Sequence, residues 1–518
     1  MSSLAKSLLV AALIRVTPGL FAEDSAPLQR GRELAGERKY QEAIAEFDKE
    51  IAQNPQSAEA FLERGNAFAS MGKTTRPMED FSEAIRLKPE YVEAWYMRGH
   101  IFARKGDHQR AVDEFTETIR LRPAYADAFH YRGISYFEQK NYPQAEKDFD
   151  KAIELNPKLG EAYYYRARTV RHSGNLSVAL RDLNKALRIN PKAAQWLYER
   201  GQVVSWMGEI DQAVADFTEA IRLDPKTQHY YNDRAAEYGK MSRYDLAIAD
   251  LTEAIRLKPE LPFFRRNRGL NYFFTGEYDK ALEDLTEAIR LRPDIGEYYW
   301  QRARVHAKLG HKEPSMADLA RAGELNAGNV SGRSMNYDRG VVYAEMGELE
   351  KALEEFTKSI EVNPTLSKAF FDRIMVSYRL GKRDGIRADA ERYRALTGWR
   401  SEQSACLSLV CALAERQSSG EPAARTLIGE ALKKCDSAAW PYPILRHFYG
   451  DLSADDLIKL ATDPGKLTES HAYIGLRLLT NGDREHARPH LRWVKEHGTK
   501  SYYEYAMAIA ELDRLGQK

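Results

Sequence analysis

The chain has 518 residues, 43% of them hydrophobic and 30% charged, which is too long for one ordinary globular core and excludes a disordered chain. Its 77 Lys and Arg against 76 Asp and Glu leave a net charge of +1, so no global field selects nucleic acid or an anionic membrane surface, and any electrostatic function is local. Three cysteines, Cys406, Cys411 and Cys435, are too few and too clustered for a disulfide framework, although one pair could form in an oxidising compartment.

Residues 1–22 read as an export signal: Lys6 supplies a positive start, Ser7 to Ile14 an apolar run, and Leu20-Phe21-Ala22 a cleavage end. Arg15 shortens the apolar run and Leu20 is large for its place. The expectation is therefore an exported, periplasmic or extracellular protein, with an uncleaved cytoplasmic N-terminus as the alternative that an intact Met1 in protein from its native cell would mark. No later run approaches the roughly 20 apolar residues that span a bilayer.

From there prolines punctuate the chain. Pro55, Pro89, Pro123, Pro157, Pro191, Pro225, Pro259 and Pro293 are each 34 residues apart. The next expected position is Ala327, and the series resumes at Pro364 after a three-residue insertion within 326–334, a stretch rich in Gly, Ser and Asn. Inside each period other positions recur at fixed offsets, as in Trp95, Arg98-Gly99, Phe102, Ala111, Phe115 and Pro123. This pattern resembles the tetratricopeptide repeat (TPR) family, whose repeat is a pair of antiparallel helices. The resemblance implies an all-α, right-handed superhelical solenoid with ten repeats over 24–365, a degenerate eleventh at 367–399 and a divergent helical segment at 400–518.

The residue types explain the pattern. Small residues at 65, 99, 133, 167 and 201 let the first helix approach the second, and Phe81, Phe115, Phe149 and Phe217 fill the space between them. Glycines at 72, 106, 174, 208, 276, 310, 347 and 381 fall between the helices, where a left-handed residue ends the first one. One arginine position (Arg64, Arg98, Arg132, Arg166, Arg200, Arg234, Arg268, Arg302 and Arg339) is followed sixteen residues later by Asp or Glu in every repeat. A charge that always has an equally regular partner reads as an architectural ion pair rather than an anion track.

Function then belongs to residues that vary between repeats while facing one way. In the resembling family the first helix lines a concave groove, and its other face carries Tyr96, His100, Arg104, His130, Tyr164, Arg168, Arg171, Tyr198, Trp206, Arg266, Phe273, Trp300, Arg304 and Lys308. The four main positions of that face over seven repeats hold seven Lys or Arg, one acidic residue (Glu138) and eight aromatics. A basic, aromatic groove suits extended acidic or C-terminal segments of partner proteins, because arginine forks onto carboxylates and aromatic rings give flat contacts. The competing reading is that individual aromatics pack against the next helix. The Lys and Asn constellation of the TPR carboxylate clamp is absent from the sequence.

The last segment keeps helical periodicity. Ala412, Ala424, Ile428 and Ala431 fit a divergent repeat with Cys411 at the arginine position, Gly475, Leu478, Gly482, Ala487 and Leu491 fit another, and 502–515 reads as a capping helix. Trp440, the run Phe448 to Ser453, the run Glu469 to Gly475, Gly482-Asp483 and Tyr503 to Ala506 resemble the C-terminal part of the NlpI-type bacterial TPR lipoproteins. That resemblance implies a cell-envelope adaptor for proteases and cell-wall hydrolases, although no cysteine near Ala22 offers a lipid anchor and the array is longer. His486 and His490 stand one turn apart, but Pro489 lies between them and the order is not that of a zinc helix, so a solvated face is expected. The expectation is a non-enzymatic scaffold with no cofactor, no metal and no nucleic-acid partner. The rivals are an enzyme with its site in 400–518 and a cytoplasmic assembly scaffold.

Overall fold

The computed structural model describes residues 25–73, 75–326, 335–399, 401–500 and 502–516. The export reading of 1–22 and positions 327–334, where the insertion falls, lie outside the described residues. Among those described, every regular element is a helix, and consecutive helices pair into hairpins. The chain forms two compact halves, up to Pro225 and from Lys226 onward. The first holds the hairpins from Ala26–Gly36 with Tyr40–Gln53 to Ala194–Trp206 with Ile210–Leu223. The second begins with Gln228–Lys240 and Tyr244–Leu257.

The repeat of Val92–Arg104 and His108–Leu121 shows how the sequence makes a hairpin. Gly106 sits at φ +80°, its N–H bonds Ala103 O, and the Asp107 N–H bonds Phe102 O, so two orphan carbonyls are satisfied where the first helix stops. The Asp107 side chain then accepts from Arg110 N at 3.2 Å and starts the second helix. Arg38, Lys140 and Ser242 take the same left-handed conformation without being glycine, at φ 61°, 61° and 56°. Three hairpins therefore close at a steric cost of about 1–2 kcal/mol each.

Inside the hairpin, glycine and phenylalanine are matched. A Cβ on Gly65, Gly133, Gly201 or Gly340 would come within 2.6–2.8 Å of the ring of Phe81, Phe149, Phe217 or Phe356. Where the ring is replaced by Leu183, Leu251 or Leu319, the facing residue is Ala167, Ala235 or Ala303. In the repeat of Ser367–Leu380 and Ile386–Thr397 the volumes are exchanged, with Ile374 facing Ala390 and both fully buried. Close packing fixes the summed volume rather than either residue.

The regular arginine clasps two second helices at once. Arg132 donates from Nε and Nη2 to both oxygens of Asp148, each at 2.8 Å, and from Nη1 to Thr116 Oγ1 of the preceding repeat at 3.1 Å. Arg64 reaches Asp80 and Asp48, Arg166 reaches Asp182 and Asp150, and Arg200 reaches Asp216 and Asn184 in the same way. The ladder runs one rung beyond the sequence reading, to Arg373 with Asp389 and Thr357. Burial pushes the Asp80, Glu114 and Asp148 carboxyls up even against the hydrogen bonds from their arginines. The pair therefore sets register more than it stabilises.

After that rung the ion pair is gone: Cys411 and Ile474 occupy the arginine position and Leu427 and His490 the acidic one. A single apolar cluster replaces the separate small ones, running from Phe370 through Leu407, Leu413, Phe448 and Tyr473 to Ala508. Two short helices, Tyr442–Tyr449 and Ala454–Leu460, interrupt the hairpins of 400–500. The last helix, Tyr503–Gly516, packs on Pro464–Thr480 and Arg484–His497 as a cap would, and it also touches Ser367–Leu380. Ahead of it Lys500 and Tyr502 lie beside residues of the first helices Gly296–Lys308 and Ser367–Leu380, so this segment crosses the first-helix face of its own half.

Two substitution pairs test this packing. Gly201→Ala is expected to lose about 1–3 kcal/mol of local stability, whereas Gly269→Ala, whose nearest neighbours are Ala281 O and Leu285 Cγ at 3.2 Å, is expected to change it by under about 1 kcal/mol. Arg132→Ala leaves Asp148 buried and unpaired and is expected to cost about 3–5 kcal/mol, while Arg132→Leu with Asp148→Leu is close to neutral. Amide-exchange protection within each mutated hairpin reads all four, and equal losses for the single and double Arg132 variants would contradict the pairing argument.

Candidate functional site

The first-helix face carries the residues expected to line a groove, and each half presents its own stretch. In the N-terminal half much of it is consumed by neighbouring first helices. Tyr96, His100, His130 and Tyr164 are 8% exposed or less. Tyr96 meets His100 edge-on at 4.5 Å, His100 lies 4.0 Å from the Tyr131 ring, and Tyr164 stacks on Trp196 at 5.7 Å. These four side chains, expected to face a ligand, are packed among neighbouring first helices in this structure.

What stays accessible is a smaller patch around Arg168, Arg171, Tyr198 and Trp206. The Trp206 indole is 58% exposed, and the Arg171 guanidinium lies 4.9 Å from it. Arg168 lies 4.8 Å from the Phe137 ring, with Tyr164 and Tyr165 beside it. Both arginines share Glu199, at 3.6 and 3.1 Å, and Arg171 also donates to Gln202 at 2.9 Å. Arg104, partly exposed, ends its helix two repeats before that of Arg168 and Arg171.

In the C-terminal half Phe273 and Trp300 are also buried, at 7% and 9% exposure. Arg304 lies 4.4 Å from the Phe273 ring and 5.2 Å from Trp300 while donating to Glu345 at 2.8 Å. Lys308 pairs with the same Glu345, and Arg266 with Glu297 at 3.1 Å.

The groove is thus less basic than the position count implied. Its arginines meet carboxylates one repeat ahead, Arg32 with Glu63, Arg168 with Glu199 and Arg266 with Glu297, and the His130 ring faces Glu161 at the same offset, every pair 31 residues apart. The sequence carries this signal at a fixed offset, but it lies between repeats, on positions next to the four that were counted. Each pair ties adjacent first helices, and the charge left for a ligand is the remainder.

In 400–516, the segment of the enzyme alternative, burial pushes the Cys411 thiol up to about 12 and the Cys406 thiol well above the usual range. Cys406 contacts Tyr473 Oη at 3.1 Å and the buried Glu504 at 3.2 Å, and burial raises the Glu504 carboxyl too. All three cysteines are free thiols. His486 Nδ1 faces Asp483 at 2.9 Å on the surface, whereas His490 Nδ1 faces His471 Nδ1 at 3.0 Å, so the two turn to different partners. Among the described residues no three His, Cys, Asp or Glu side chains converge as a metal site.

Burial makes several of these histidines acid-sensitive. His100 is held down to about 3, by desolvation first and then by His130 and Arg104, and His447 to about 4, by desolvation and then by Arg477. Between those values and about 6.5 the unfolded chain binds a proton that the folded chain refuses, so stability falls as pH drops through that window. At pH 5 each is expected to cost on the order of 2 kcal/mol relative to neutral pH. Melting curves of the parent and His100→Gln at pH 7.5 and 5 check this, and an equal acid shift in both would remove His100 from the account.

Profiles of the tetratricopeptide repeat match residues 28–76, 79–126, 126–159, 197–227, 228–261, 262–295 and 334–366. Among solved structures the chain is similar to yeast Tom70, at 15% identity over 78% of this chain and 98% of that one, with a TM-score of 0.38. It is similar to a tetratricopeptide repeat protein from Parabacteroides merdae, at 21% identity over 52% and 99% with a TM-score of 0.38. It is also similar to YrrB, described as a TPR protein with an unusual peptide-binding site, at 22% identity over 35% and 92% with a TM-score of 0.31. With the 34-residue hairpins and the matched repeats together, this chain belongs to the tetratricopeptide repeat family.

Proposed function

We propose that this chain is a non-enzymatic scaffold that holds extended, acidic segments of partner proteins against the first-helix face of its N-terminal half. Tetratricopeptide repeats are protein-interaction modules, and the observation that supports a particular place is the open indole of Trp206 beneath Arg171. A large aromatic that the stack leaves uncovered, beside two arginines sharing one carboxylate, offers a flat contact with spare hydrogen-bond donors. A carboxylate on the partner competes with Glu199 for those donors, which favours an acidic segment over a neutral one.

The test is selection from a displayed library of random peptides by the full chain, beside Trp206→Ala, a change at an exposed position. Enrichment of acidic peptides by the parent, with at least about tenfold weaker binding by the variant and an unchanged melting curve, supports the reading. Enrichment indifferent to Trp206, or of basic peptides, sinks it.

A further inference from the structure

A cavity of about 750 Å³ lies in the C-terminal half, between the first helices Gly296–Lys308, Met335–Glu345 and Ser367–Leu380 and the crossing segment of Lys500, Tyr502 and Tyr503. Arg304, Lys308, Lys368, Arg379 and Lys500 line it against Glu345 and Asp372, an excess of three positive charges in a chain whose total is +1. Both carboxylates are already engaged. Glu345 takes Arg304 and Lys308, while Asp372 accepts from Tyr337 Oη at 2.8 Å and from Tyr503 Oη at 2.9 Å.

Arg379 is left over. Its Nε is buried without a hydrogen-bond partner, and the opposite charge acting on it is Glu345, which two other cations already hold. Arg304 Nε is likewise buried and unmatched. A buried donor without an acceptor costs about 1–3 kcal/mol, which a bound anion recovers. The Trp300 ring and the two tyrosines of the crossing segment give the cavity aromatic walls, and Tyr503 is fixed there by Asp372 and by the edge of Phe371 at 5.0 Å. Its volume falls in the range of small-molecule sites.

We propose that this cavity binds a small organic acid, its carboxylate on Arg379 and Arg304 and its apolar body against Trp300 and Tyr502. The site is independent of the peptide-holding face in the other half. The terminal carboxylate of a polypeptide has the same chemistry, but a volume of about 750 Å³ matches a small molecule. Titration calorimetry of the full chain with N-acetyl-phenylalanine, with its amide and with an acetylated pentapeptide ending in phenylalanine separates these sources. The acid is expected to bind, with the amide at least about tenfold weaker. Arg379→Gln is expected to weaken the acid similarly and Arg379→Lys less so, all with parental melting curves. Binding of acid and amide alike, indifference to Arg379→Gln, no binding by about 10 mM, or preference for the pentapeptide overturns the proposal.

Discussion

The array depends on one side chain repeated along it: the arginine whose planar fork meets a carboxylate sixteen residues later while its third nitrogen reaches back to the previous repeat. A hairpin of two short helices buries too little to stand alone, so every repeat must be held in register with its neighbour. Hydrophobic contact gives attraction but no register. A bidentate guanidinium has one geometry, and tying three helices through it converts sticky hairpins into a stack with a fixed step. The matched glycine and phenylalanine do the same for the spacing inside the hairpin, since the ring fits only where the facing Cβ is missing.

This construction decides where function can reside. Packing first helices side by side covers the aromatics that point along the stack, and the cations beside them are tied to carboxylates of the next repeat. A residue of this face is open to a ligand only where the neighbour fails to cover it, as at Trp206, or where a charge has no partner to spare, as at Arg379. The two sites differ in kind for that reason: one is an exposed platform beside shared arginines, the other a cavity walled in part by a later segment of the chain.

The ladder stops after Arg373 and Asp389, and the architecture changes with it. With Cys411 and Leu427 in place of the ion pair, the last segment loses the register device and gains apolar volume, and its hairpins merge into one cluster. A merged core lets the chain turn back on itself, which carries Tyr503 to Asp372. The buried cysteines belong to that core, where desolvation holds their thiols protonated.

The amino-acid sequence by itself determined the repeat: proline spacing, the left-handed glycines, the small-to-aromatic match and the arginine with its acidic partner are all local or fall within one period, so linear order carries them. It also told which face of each first helix lies away from the second. Only the tertiary structure decided which residues of that face remain open, because burial there depends on the next repeat. The pairing of Arg168 with Glu199 and of Arg266 with Glu297 spans two repeats and is invisible to a count made within one. The meeting of Tyr503 with Asp372, 131 residues apart, follows from how the last helices turn, and no periodicity encodes that.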